Sequence, residues 1–132
     1  MATYDSHYGK VYKNVTCKDD FKNIVIYNQD AQRVVKLQEP AMDSFKECEK
    51  KLGHKIHVTG EGWRSCASQL QLWHSDPARF ANPNGSLHCA GLAVDLDTGD
   101  HFFTENKKTL LAHGWHFPRT DEPWHVSFRL NG

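Results

Sequence analysis

Ser86-Leu87-His88-Cys89-Ala90-Gly91-Leu92-Ala93-Val94-Asp95 is answered near the C-terminus by Glu122-Pro123-Trp124-His125, and the two stretches together decide how the chain is read. Two imidazoles and a carboxylate suffice for a catalytic zinc, which takes three protein ligands and keeps a fourth position for water. His88, Asp95 and His125 are the candidate ligands. Glu122 precedes His125 by three residues, which places a carboxylate beside the metal's water without making it a ligand. A carboxylate there can take the proton of a water whose pKa the metal has lowered. The chemistry points to hydrolysis.

Spacing suggests how the ligands meet. Pro83-Asn84-Gly85-Ser86 is turn chemistry, and Leu92 to Leu96 reads as a buried strand. Val126-Ser127-Phe128-Arg129-Leu130 alternates apolar and polar, which predicts a second strand starting just after His125. Two neighbouring strands would then present all three ligands at one end of a sheet. Gly91 suits a point where the backbone bends or approaches something closely. With nine histidines and sixteen acidic residues in the chain, a His–Asp–His set also arises by chance, so spacing alone leaves the site open.

The residues themselves resemble a known family. Ser-x-His-x-x-Gly-x-Ala-x-Asp followed by Glu-x-x-His is similar to the signature of zinc peptidases of the D-alanyl-D-alanine carboxypeptidase type. That group includes vancomycin-resistance dipeptidases and phage L-alanyl-D-glutamate endolysins. Ser86, His88, Gly91, Ala93 and Asp95 match the first half, and Glu122 and His125 the second, with Pro123-Trp124 between them. Upstream, Gly62-Trp63-Arg64-Ser65 with Gln69 resembles the family's Gly-Tyr-Arg-Ser-x-x-x-Gln element, with Trp in place of Tyr. The matching segments run from about Val58 to Phe128, roughly half the chain. The resemblance implies a hedgehog-like zinc-peptidase fold, one Zn2+ per chain on His88, Asp95 and His125, and Glu122 as general base and then acid. It also implies that Arg64 binds substrate and steadies the oxyanion, and that Ser86 contacts the substrate backbone. For Ser86 a simple turn hydrogen bond is the alternative. Gln69 either bonds substrate or braces the site, and Trp124 offers apolar area and one donor as a cleft wall.

The rest of the chain sets limits. A length of 132 residues makes one domain the default, with 1–55 as an N-terminal hairpin and helix and 56–130 carrying the metal and substrate site. Sixteen basic and sixteen acidic residues balance, so charge gives no case for nucleic acid or an anionic membrane. No apolar run approaches a membrane span, no signal-peptide pattern opens the chain, and a monomer is expected. The expectation is synthesis in the cytoplasm and action at the bacterial wall after release by another factor. Cys17, Cys48, Cys66 and Cys89 show no metal-finger spacing, so four reduced, packed thiols are expected. Cys89 beside His88 points away from any metal that His88 faces if the local chain is extended.

Met1 to Lys13 is polar and aperiodic, an arm or part of a first hairpin. Ile24 to Tyr27 and Arg33 to Leu37 predict two strands about the Asn28-Gln29-Asp30 turn. Pro40 to Leu52 predicts a helix that buries Met42, Phe45, Cys48 and Leu52 and stops at Gly53. His54 to Thr59 reads as a strand with His54 and His57 on its exposed side. Ser65 is a candidate cap for a helix that carries Gln69 and closes at Asp76-Pro77. Thr104 to His113 predicts a helix with Leu110 and Leu111 inward, followed by Trp115 and Phe117 as core.

The predicted class is α+β, a small mainly antiparallel sheet with helices packed on one side. By resemblance the substrate is a peptidoglycan stem peptide, and the endolysin cut between L-alanine and D-glutamate is preferred. Trimming of a terminal D-alanine by a D,D-carboxypeptidase is the alternative. A non-catalytic zinc-containing binding or phage structural module is the alternative of another class; the presence of both Glu122 and Arg64 argues for an enzyme.

Overall fold

A computed structural model describes residues 24–60, 62–80, 87–99 and 105–129. The arm at Met1 to Lys13 and the turn that includes Ser86 lie outside the described residues. Strand β1 (Ile24–Asn28) and strand β2 (Val34–Gln38) form an antiparallel hairpin with Ile24 opposite Gln38 and Asn28 opposite Val34. Asp30 shapes its turn, its Oδ1 accepting from the Gln32 and Arg33 amides. Helix α1 (Glu39–Leu52) follows at once, with Pro40 in its first turn, where a missing N–H costs nothing. Gly53 ends it in the left-handed conformation, its amide bonded to the Glu49 carbonyl.

Helix α2 (Cys66–Ser75) is capped as its sequence predicts, Ser65 Oγ accepting from the Ser68 amide at 3.1 Å. Strand β3 (Ala93–Asp95), helix α3 (Lys107–Ala112), strand β4 (Trp115–His116) and strand β5 (His125–Phe128) complete the described elements. The second sheet has the order β3-β5-β4, both pairings antiparallel. Two small antiparallel sheets with helices against them make the α+β class expected from the sequence.

One core joins these pieces. Val35 and Leu37 of β2, Ala41, Met42, Phe45 and Cys48 of α1, and Leu92, Val94, Trp115 and Val126 of the second sheet region are buried together. Trp115 meets Phe45 edge to face at 6.0 Å, and its indole N–H donates to Ser44 Oγ at 3.0 Å. The aromatic pair thus ties α1 to the sheet, with its polar handle satisfied.

Four expectations change. The segment before Gly60 is not a ladder strand: it contributes one bridge, Val58 to Leu96. Leu111 is 51% exposed while Leu110 is fully buried, because α3 is a short helix with one face inward. His54 is half-buried and lies 2.8 Å from Asn106 Oδ1, whereas His57 is exposed as expected. Cys66 is disulfide-bonded, which corrects the reading of four reduced thiols. Pairing depends on tertiary proximity, which cysteine spacing does not encode.

Cys48 and Cys89 are free and buried. Burial pushes the Cys48 thiol up to about 11. That shift lowers its thiolate fraction at neutral pH by about 100-fold relative to an ordinary thiol. Both thiols are expected to resist a colorimetric thiol reagent in the native protein and to react on unfolding; rapid native labelling at Cys48 would contradict this packing.

Candidate metal centre

The sheet register builds the site. In the β3–β5 pairing Asp95 stands directly opposite His125, so a carboxylate and an imidazole from residues 30 apart meet as a cross-strand pair. His88 arrives from the turn that precedes β3, closed by hydrogen bonds from the Gly91 amide to the His88 carbonyl and from the Leu92 amide to the Leu87 carbonyl. One donor atom from each of His88, Asp95 and His125 lies within 4.8 Å of the other two. The residue pattern and the geometry agree on this trio.

Distances fit a four-coordinate ion. His125 Nδ1 is 3.2 Å and His88 Nε2 is 3.6 Å from Asp95 Oδ1. Ligand atoms about 2.1 Å from a tetrahedral zinc are separated by about 3.4 Å. Each imidazole is also turned by its other nitrogen. His88 Nδ1 lies 2.9 Å from the Gly62 carbonyl oxygen, so Nε2 is the nitrogen facing Asp95. His125 Nε2 lies 3.3 Å from Ser127 Oγ, so Nδ1 is the atom turned to the centre. Such outer partners fix tautomer and ring angle for a metal ligand.

Electrostatics suit the same role. Burial draws the His88 pKa below that of an ordinary imidazole, which favours the neutral, ligating form. Burial by itself would raise the Asp95 carboxyl, but hydrogen bonds with His125 and His88 outweigh it and hold the group well below the usual carboxylate range. Asp95 is therefore an anion at any working pH. The donor set is a carboxylate and two imidazoles, suited to a divalent first-row ion.

A cavity of about 370 Å³ opens beside the trio, lined by Gly60, Gly62, Trp63, Arg64, His88 and Asp95 among others. Arg64 is held in it from two sides. Its amide donates to the His88 carbonyl at 3.0 Å, and its Nη1 donates to Gln69 Oε1 at 2.6 Å. Gln69, whose Oε1 accepts from Arg64, is 2% exposed. Trp124 accepts the Leu96 amide through its carbonyl, and among the described residues it stands outside the cavity lining. Glu122 is also outside that lining and outside the ligand trio. Its carbonyl accepts the His125 amide at 3.0 Å, and its carboxylate is 3.5 Å from Arg119 Nη2.

Three contributors were missed by the sequence reading. Ser127 lies two residues beyond His125 on one strand, and period-two alternation puts both on one face, so that signal was present. Arg119 stands three residues before Glu122 with no motif to mark it. Gly62 was noted for its neighbours, not for its carbonyl. Its φ is +98°, and a Cβ there would lie 2.6 Å from the Lys36 carbonyl oxygen and 3.3 Å from that of Ala93. Gly62→Ala is expected to destabilise by about 2 kcal/mol or more through strain and backbone clash. It should also weaken zinc binding by about 10–100-fold as the carbonyl that turns His88 moves. Thermal unfolding and zinc titration read the two effects separately; unchanged values in both would refute this account of Gly62.

No protein-family model matches the sequence, and the curated proteins contain no significant match. Solved structures do match. The vancomycin-resistance D,D-dipeptidase VanXYg, in complex with a D-Ala-D-Ala phosphinate analogue, aligns with TM-score 0.61 and 18% identity, over 84% of this chain and 57% of that one. The chain thus spans little more than half of that protein's length. The LD-carboxypeptidase LdcB aligns with TM-score 0.56 and 20% identity, over 81% of this chain and 68% of that one. The D,D-pentapeptidase VanY of a VanB-type cassette, in complex with Zn(II), aligns with TM-score 0.53 and 14% identity, over 86% and 82%. The fold is the one these peptidases share, as the motif resemblance implied.

Proposed function

We propose that this chain, which has the fold of the D,D-peptidases and the LD-carboxypeptidase, is a zinc-dependent hydrolase of peptidoglycan stem peptides. The observation that carries the reading is the His88–Asp95–His125 trio, at separations a tetrahedral ion requires, opening onto a cavity that holds a braced arginine. His88 Nε2, His125 Nδ1 and an Asp95 oxygen would hold the ion. When bound there, zinc supplies Lewis acidity for the scissile carbonyl and lowers the pKa of a water toward neutrality.

The chain's own groups do the rest. Glu122 takes a proton from the attacking water and returns it to the leaving amine. The Arg64 guanidinium, fixed by Gln69, faces the charge that develops on the carbonyl oxygen. Gly62 and Ser127 keep the two imidazoles aimed.

For the bond, the reading is endopeptidase cleavage between L-alanine and D-glutamate, as in the phage endolysins the motif resembles. A second cavity of about 420 Å³ shares Gly60 with the cavity beside the trio, which is space an extended stem peptide can use. Removal of a terminal D-alanine is the second reading, favoured by the D-Ala-D-Ala ligands of the similar structures. Mass spectrometry of purified peptidoglycan fragments, incubated with the zinc-loaded protein with and without a chelator, tests both. A chelator-sensitive cut at L-alanyl-D-glutamate is expected. Loss of one terminal D-alanine would install the second reading, and no cleavage by protein with one bound zinc would leave a binding module.

A further inference from the structure

Helix α1 begins without the cap its geometry invites. Gln38 stands at its N-cap in an extended conformation, φ −59° and ψ 151°. A short polar side chain there ordinarily accepts from the amides of the first turn, but the Gln38 side chain makes no such bond. Its Nε2 instead donates to the Ala90 carbonyl, 2.6 Å away and 52 residues along the chain. Its own amide donates to the next carbonyl, that of Gly91, at 2.9 Å. Gln38 and Ala90 are both buried, so bulk water would not replace a lost donor. A local preference is set aside here for a distant contact, as happens where function makes a demand.

The turn so gripped is the one that carries His88. The Gly91 amide closes it on the His88 carbonyl at 3.1 Å, and the Arg64 amide donates to that same carbonyl at 3.0 Å. The hairpin packs tightly on it. A Cβ on Gly91 would lie 2.5 Å from Ile24 Cδ1 and 3.1 Å from the Gln38 amide nitrogen. Two residues earlier on β2, the Lys36 carbonyl accepts the Trp63 amide at 2.7 Å, and a parallel bridge pairs Lys36 with Gly62. The Gly62 carbonyl is the oxygen beside His88 Nδ1. The end of β2 therefore reaches His88 twice, its ring through Gly62 and its backbone through Ala90 and Gly91. The Gln38 side chain is the part of this grip that can change without unmaking the strand.

Asp95 and His125 are fixed to each other by the β3–β5 register. His88 comes from a turn outside that ladder, so its place depends on what holds the turn. Donors of a metal site must be held to within about 0.5 Å of their working geometry. We propose that Gln38 is a positioning residue for the metal centre: its amide group holds the turn so that His88 meets the Asp95–His125 pair. The proposal rests on the zinc-hydrolase reading above.

Three variants test it. Gln38→Met keeps the side-chain volume and removes the donor. Gln38→Ser also removes the donor but offers α1 a capping hydroxyl, which supports folding. Val35→Ala, on the same strand, is the control: it truncates a core side chain and leaves the Ala90 bond. Zinc affinity is read by competition with a chromophoric chelator, at a temperature where each protein is folded by circular dichroism. Binding is expected to be about tenfold weaker in both Gln38 variants and within about twofold of wild type in Val35→Ala. The visible bands of cobalt(II) bound in place of zinc, which report ligand geometry, should shift in the Gln38 variants and not in the control. Wild-type affinity and bands in either Gln38 variant, or an equal loss in Val35→Ala, would overturn the role of Gln38 and leave the metal centre standing. Wild-type protein that takes up neither zinc nor cobalt would overturn the zinc-hydrolase reading and the role of Gln38 with it.

Discussion

Asp95→Asn is expected to abolish zinc uptake and turnover together while leaving the fold in place. The carboxylate is the sole anion of the trio and lies within 3.2 and 3.6 Å of the two imidazole nitrogens. An amide of the same shape carries no charge to match a divalent ion, and it disturbs both neighbours at once. The loss of affinity should exceed the roughly 10–100-fold typical of an outer partner by a wide margin. The backbone has no reason to move, since the β3–β5 ladder and the bond from the Thr59 amide use main-chain atoms of Asp95. Metal analysis after dialysis, with circular dichroism as the fold control, decides the matter. A variant that retains one zinc per chain would show that the trio is not the metal site.

Glu122→Gln should separate metal binding from chemistry. The side chain stands outside the trio, so zinc affinity is expected to stay within a few-fold of wild type. Turnover should fall by about 10²–10⁴-fold, the usual worth of a positioned general base. Its own carbonyl is bonded to the His125 amide, and Arg119 lies 3.5 Å from its carboxylate. Near-normal activity would remove Glu122 from the mechanism. Loss of zinc with the activity would instead make it part of the metal's binding frame.

The sequence was informative where local rules coincide with tertiary need. Ile24 to Tyr27 and Val34 to Leu37 carry strand-forming residues about a turn that Asp30 nucleates, and they form the hairpin. Pro40 and Gly53 mark the ends of α1, and Ser65 marks the start of α2. The three candidate ligands were legible because the motif holds both halves of a cross-strand pair. What was hidden depends on partners far along the chain. The Val58 segment has strand-like residues, yet it pairs only with Leu96, so pattern overstated it. Leu111 looked like Leu110, but a six-residue helix buries one face. The Cys66 disulfide and the Arg119–Glu122 contact have no periodic signature at all.

The direct opposition of Asp95 and His125 has a thermodynamic side. Because the two ligands are register partners, the geometry that receives the ion exists only while β5 is docked on β3. On the proposed metal reading, ion capture and closure of this sheet are one cooperative event, and at a free zinc concentration of 100 times Kd the native state would gain about 2.7 kcal/mol. That gain falls on β5, the middle strand of its sheet, whose departure would also unpair β4. A chelator and a mild denaturant therefore draw on the same equilibrium from opposite ends.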